Sequence, residues 1–99
     1  MTTRRAAQSV KLPDEQFNAI ARAVADPRRF AILQQVAAAD SITCGALNEH
    51  QVISPATVSH HLKELAEAGL VEMQREGRYA NITLCRPVWT AYCKRLAAL

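Results

Sequence analysis

Several kinds of chemistry lack their residues in this 99-residue chain. Its three cysteines, Cys44, Cys85 and Cys93, are odd in number and far apart, with no C-x-x-C pair. That count and spacing argue against a disulfide-stapled secreted scaffold and suggest a reduced, cytoplasmic protein. No apolar run reaches 18 residues, and the first eleven residues hold two arginines but no apolar core of signal-peptide length, so membrane spanning and secretion are both disfavoured. A glycine-rich phosphate loop, an H-E-x-x-H pair and a cysteine with a histidine at catalytic-motif spacing are all missing. Enzyme readings, and with them a bound cofactor, therefore have no residues to stand on. Charge of one sign is in small excess: 12 Lys and Arg against 9 Asp and Glu give a net +3, with acids and bases interleaved. Such a balance permits a nucleic-acid partner without demanding one.

What is present is a chain with 49% hydrophobic residues, enough for one small domain. Residues 1–11 lack apolar periodicity and read as a flexible arm in which Arg4 and Arg5 have at most phosphate to reach; residues 12–99 read as a single domain. Pro13 with Asp14 and Glu15 opens a first helix, ending near Ala25, whose apolar residues Phe17, Ile20 and Val24 recur at helical spacing. Asp26-Pro27 repeats the punctuation, a capping carboxylate followed by proline, and starts a second helix carrying Phe30, Ile32, Leu33 and Val36 to about Ala38. After the break at 39–43, a short third helix spans Cys44 to His50 with Ala46 and Leu47 turned inward.

The stretch from Val52 to Leu70 is the most sharply specified in the chain. Ser54 is a good N-cap, Pro55 suits the first helical position, and Gly69 stands where a helix is expected to end in a left-handed residue. Within it Val58, Leu62 and Leu65 make an apolar stripe. The opposite face carries Ala56, His60, Lys63 and Glu67, flanked by Thr57, Ser59 and Glu64. Its first two turns are small, polar and free of acid, which suits the DNA major groove, where base edges and phosphates call for donors and close approach. His61 lies nearer the core stripe and reads as a packed or capping histidine. A helix, a three-residue turn and a longer helix together form the helix-turn-helix arrangement.

Beyond Gly69 the period changes from helical to alternating. Residues 70–75 and 79–84 read as two strands joined through Glu76-Gly77-Arg78, a hairpin with basic shoulders that must pack on the helices. Pro87 opens a last helix whose Val88, Trp89, Tyr92, Leu96 and Leu99 form a broader apolar face than a terminal helix usually needs. That surplus predicts a second copy of the chain as partner, with Phe17 and Ile20 of the first helix contributing. The fold class is mainly α with a small β-hairpin, in the order α-α-α-α-β-β-α: a winged helix-turn-helix.

Four stretches in this order carry a more specific likeness: residues 25–33 (A-D-P-R-R-F-A-I-L), 54–65 (S-P-A-T-V-S-H-H-L-K-E-L), 68–71 (A-G-L-V) and 75–79 (R-E-G-R-Y). Together they resemble the ArsR/SmtB family of bacterial transcriptional repressors over about residues 13 to 96. The resemblance implies a dimer on double-stranded DNA at an imperfect palindrome. Its groove-reading surface falls on Ser54, Ala56, Thr57, Ser59, His60 and Lys63, with Arg75, Arg78 and Tyr79 of the wing on backbone or minor groove. By residue type, Ser54 and the amides of the helix start would fix a phosphate. His60 and Thr57 would read base edges, and Lys63, Arg75 and Arg78 would supply salt-dependent affinity.

Sensing is where the chain departs from that family. The C-x-C pair of its thiolate metal sensors falls on Thr43 and Gly45, with Cys44 between them. The last helix also lacks the Asp and His of its zinc sensors. No resident metal is expected. A thiol-based response to soft metal or oxidant through Cys44, Cys85 and Cys93 is left as an alternative, as is a winged helix used for protein docking, and the inducer stays open.

Overall fold

The structure, a computed structural model, describes residues 10–49 and 51–99. The expectations placed on the N-terminal arm, Arg4 and Arg5 included, and on His50 lie outside the described residues. Helix α1 runs Asp14–Val24, α2 Pro27–Ala37, α3 Cys44–Glu49, α4 Pro55–Glu67 and α5 Arg86–Ala97, with strands β1 Ile42–Thr43, β2 Val71–Glu76 and β3 Tyr79–Leu84. The sequence-derived helices are all present to within one or two residues.

Local chemistry accounts for most boundaries. Asp26 accepts from the backbone N–H of Arg28 at 2.9 Å and of Arg29 at 3.2 Å, capping α2 ahead of Pro27. Pro13 behaves differently from expectation. It stands outside α1 as the extended residue before it, and its carbonyl accepts from Phe17 N–H at 2.9 Å. At the other end of the central helix, Gly69 adopts φ +83. Its N–H reaches Ala66 O at 2.9 Å and that of Leu70 reaches Leu65 O at 3.0 Å, the paired bonds of a Schellman stop.

One strand was not anticipated. β1 pairs antiparallel with β3 (Ile42 opposite Ile82, Thr43 opposite Asn81), giving a three-stranded sheet of order β1-β3-β2 in place of a bare hairpin. Two residues are too few to show alternation, so only the free edge of β3 makes Ile42-Thr43 a strand. Thr43 then caps α3, its Oγ1 accepting from Ala46 N–H at 3.1 Å. The wing is closed by the two residues Gly77 and Arg78, with positive φ at Gly77 alone, as a type II′ turn requires.

The core joins every layer. Ile20, Ile32, Val36, Leu47, Val58, Leu62, Leu65, Leu70 and Ile82 are almost fully buried, and Leu12, Phe17, Trp89 and Leu84 pack around them. Burial of each such side chain contributes about 1.5–3 kcal/mol. α4 is therefore held along its Val58-Leu62-Leu65 stripe against α2 and the sheet. The terminal helix is fastened to α1 by Arg95, which lies 4.2 Å over the Phe17 ring, pairs with Asp14 at 2.6 Å and donates to Leu12 O at 3.2 Å. No described helix is long and apolar enough to cross a membrane.

Candidate nucleic-acid interface

With its apolar stripe buried, α4 turns Ala56, Ser59, His60 and Lys63 to solvent. Ser54 is exposed as well, but its hydroxyl is already engaged: Oγ accepts from Thr57 N–H at 3.2 Å and lies 3.0 Å from Thr57 Oγ1. Thr57 is only half exposed and shares that bond, so its hydroxyl has less freedom to read a base than the sequence suggests. The helix-start amides are also largely spoken for. Pro55 has none, Thr57 donates to Ser54 Oγ and Val58 to Ser54 O at 3.0 Å. Among the described residues this leaves Ala56 N–H as the first-turn amide open to a phosphate, where several were expected.

The wing separates its three expected DNA-contacting residues, Arg75, Arg78 and Tyr79, between its two faces and its turn. Residues opposite one another in an antiparallel pair share a face. Val71, Met73 and Arg75, paired with Leu84, Ile82 and Ala80, therefore lie on the face that continues into the core. Tyr79 lies on the other face with Glu76, its partner, and with Asn81, whose amide donates to Glu76 at 2.7 Å. Arg75 is thereby brought to the helix side, where it shares with Ser59, Leu62, Met73 and Cys44 the lining of a groove of about 340 Å³ between α4 and the wing. Arg78 is exposed in the turn and Tyr79 is 65% exposed. Ser59 and Arg75 thus form one continuous surface with the exposed face of α4, while Tyr79 stands apart from Arg75.

A set of contacts behind α4 went unread in the sequence. Arg29 sends Nε to Ala23 O at 2.7 Å and Nη2 to Arg22 O at 3.2 Å, closing the C-terminal carbonyls of α1, while Nη1 pairs with Glu64 of α4. Glu64 in turn lies 3.6 Å from Nε2 of His60 through its other oxygen. The only hint was the arginine pair after Asp26-Pro27, and no periodicity says which of the two turns inward. Asp26 sits beside this cluster. Its carboxyl is held below its ordinary range, chiefly by the Arg29 N–H, against some desolvation, and further by the Arg28 N–H and the Arg29 charge. His61 is buried, as expected, and its Nδ1 finds no partner among the described residues.

Two groups of expected residues are placed otherwise. Ile20 and Tyr92, assigned to a dimer contact, are core residues of the single chain at 0% and 5% exposure, because Tyr92 stacks between Phe17 and Trp89. The three cysteines are half-buried free thiols. No cluster of three or more Cys, His, Asp or Glu able to hold a metal forms among the described residues, so a one-chain thiolate site from Cys44, Cys85 and Cys93 is not assembled.

Comparison with known proteins agrees with this geometry. Residues 24–74, from the end of α1 into β2, match the family model described as a helix-turn-helix domain. The chain is 30% identical over 86 residues to YceK of Bacillus subtilis (strain 168), an HTH-type transcriptional regulator, covering 85% of this chain and 86% of that one. It is 34% identical over 68 residues to the transcriptional repressor SdpR of the same organism, covering 69% and 74%. Among solved structures, the homodimeric winged helix-turn-helix DNA-binding domain of a possible ArsR-family regulator from Mycobacterium bovis superposes with a TM-score of 0.71 at 23% identity, covering 90% and 88%. With the four sequence stretches, the buried stripe and the wing in place, the chain belongs to the ArsR/SmtB-like family of winged helix-turn-helix, DNA-binding transcriptional regulators.

Proposed function

We propose that the protein is a dimeric repressor that lays α4 of each protomer into the major groove of an imperfect palindrome and sets its wings on the flanking backbone. The observation that carries this reading is the exposed row Ala56, Ser59, His60 and Lys63 on a helix whose other face is wholly buried. Ala56 and Ser59 allow close approach, and His60 reads a base edge with Thr57 as the secondary reader. Ser54, the Ala56 amide, Lys63, Arg75 and Arg78 hold phosphates, and Tyr79 meets the backbone from the outer face of the wing. Repression is inferred from the likeness to SdpR.

The dimer is inferred from the homodimeric relative and from apolar surface at the chain's end: Leu96 is 44% exposed and Leu99 fully exposed, beside half-buried Val88, Trp89 and Phe17. With Ile20 and Tyr92 withdrawn into the core, Leu96, Val88, Trp89 and Phe17 remain as its contact surface. Fluorescence anisotropy of the reduced protein on duplexes from its own upstream region, against a scrambled control at one fixed salt concentration, tests the reading. Tight binding confined to a palindromic duplex is the expected result, and equal binding to both would remove the repressor assignment.

A further inference from the structure

Glu64 poses a difficulty for a helix that enters DNA, since a carboxylate near the reading face repels phosphate. Its surroundings resolve this. One oxygen is paired with Arg29, whose side chain is 14% exposed and is itself fixed by two α1 carbonyls. The other lies 3.6 Å from His60 Nε2, one turn back along α4, and exposure rises along this line from Arg29 to Glu64 at 39% and His60 at 66%. The geometry points to Glu64 as a positioning residue that fixes the orientation and tautomer of His60, with Arg29 as its anchor. The inference rests on the reading of His60 as a base reader.

A carboxylate accepts hydrogen bonds and does not donate them, so the nitrogen facing it is the one that carries hydrogen. At 3.6 Å the contact is longer than a hydrogen bond, so Glu64 acts by attraction: it favours Nε2–H turned towards itself and leaves Nδ1 for DNA. Arg29 serves two ends: it neutralises the carboxylate that would otherwise face phosphate, and it stops Glu64 from swinging away from His60. Among the described residues Lys63, His61 and Glu67, the other titratable residues of α4, form no ion pair with Glu64, and the His61 ring lies 6.1 Å from that of His60. The end of α1 is thus tied to the side chain that reads the groove through two intervening residues.

Glu64→Gln keeps the size of the side chain and one oxygen for Arg29, but presents an amide N–H in place of an acceptor to His60. The test uses the full chain and two duplexes: one selected from a random pool by the wild-type protein, and its shuffled counterpart. The preference of E64Q for the selected duplex should fall about as far as that of H60A, about 5-fold or more. The double variant H60A/E64Q should lose no more than H60A alone, and binding of the shuffled duplex by E64Q should not weaken. Imidazole 15N spectra should show the Nε2–H form of His60 in excess in the wild type and a shift towards a free histidine in E64Q. Equal losses on both duplexes, multiplied losses in the double variant, or an unchanged 15N spectrum would overturn the proposal. If the spectrum responds but H60A keeps full preference, the positioning stands and the reading of His60 as a base reader falls. Failure to select any duplex would remove the reading of His60 as a base reader, and the 15N spectrum would then decide the positioning alone.

Discussion

The guanidinium of Arg29 and the carboxylate of Glu64, 35 residues apart in the chain, meet as an ion pair between α2 and α4. An exposed pair of this kind contributes about 0–1 kcal/mol. This one differs because Arg29 is largely covered and holds the last carbonyls of α1 with its remaining donors. Removing the arginine should therefore take away the partner of a Glu64 oxygen and of the Ala23 carbonyl, while the Arg22 carbonyl keeps the Ala25 N–H at 3.4 Å. Arg29→Ala is expected to cost about 1–3 kcal/mol in urea unfolding and to weaken binding to every duplex. A variant as stable as the wild type would show that water replaces the guanidinium at no cost.

Gly69 is the position where a side chain meets both strain and a neighbour. Its φ of +83 disfavours any L-residue, and a Cβ there would clash with Gln16 Nε2, displacing the hydrogen bond that Gln16 gives to Ala68 O at 3.0 Å. Gly69→Ala should destabilise by about 1–2 kcal/mol. Adding Gln16→Ala removes the clash but not the backbone strain, so denaturant midpoints should show the double variant regaining none of the strain cost.

The residues proposed to hold phosphate and those proposed to read bases should separate by salt dependence. Lys63→Ala or Arg78→Ala should weaken binding to selected and shuffled duplexes alike and flatten the slope of log K against log salt by about 0.9 each. Thr57→Ala should cost discrimination only, and less than His60→Ala, since the Thr57 hydroxyl is already shared with Ser54. Anisotropy titrations over a salt series distinguish the two patterns, and a salt slope that Lys63→Ala leaves unchanged would remove it from the phosphate contacts.

The proposed dimer contact and the core can be told apart in α5. Leu96→Asp alters an exposed residue and should dissociate the dimer in sedimentation equilibrium with little change in the unfolding of the protomer. Tyr92→Ala removes a ring packed against Phe17 and Trp89 and should cost about 3–5 kcal/mol of stability, as large aromatic-to-alanine changes in cores do. A dimer that survives Leu96→Asp would place the interface elsewhere.

Asp26 gives the fold an acid-side dependence with a definite sign. Its carboxyl titrates below the ordinary value of 3.8 in the folded chain, so the unfolded chain binds the proton more readily. The stability it contributes is full above 3.8 and is lost as pH falls through the lower folded value. Asp26→Asn keeps a capping oxygen without the charge. Its urea midpoint should fall less steeply than that of the wild type as pH is lowered below about 4, the ordinary aspartate range.

Much of this protein was legible in residue order because the signals are local. Pro27 and Pro55 behind their caps, Gly69 at the stop, the Val58-Leu62-Leu65 stripe and the alternation after Leu70 each act within a turn or two of the chain, where propensity and periodicity operate. They determined the helices, the hairpin and the face of α4 that stays exposed. What tertiary structure alone decided involves residues far apart in sequence. Ile42-Thr43 becomes a strand only because β3 offers a free edge. Arg29 rather than Arg28 turns inward because the carbonyls of Arg22 and Ala23 and the carboxylate of Glu64 converge there. Tyr92 enters the core because Phe17, 75 residues earlier on α1, closes on it beside Trp89 of its own helix. Directional bonds and close packing between distant segments select among side chains that local patterning leaves equivalent, and that selection set which residues stand exposed around α4 and which hold them in place.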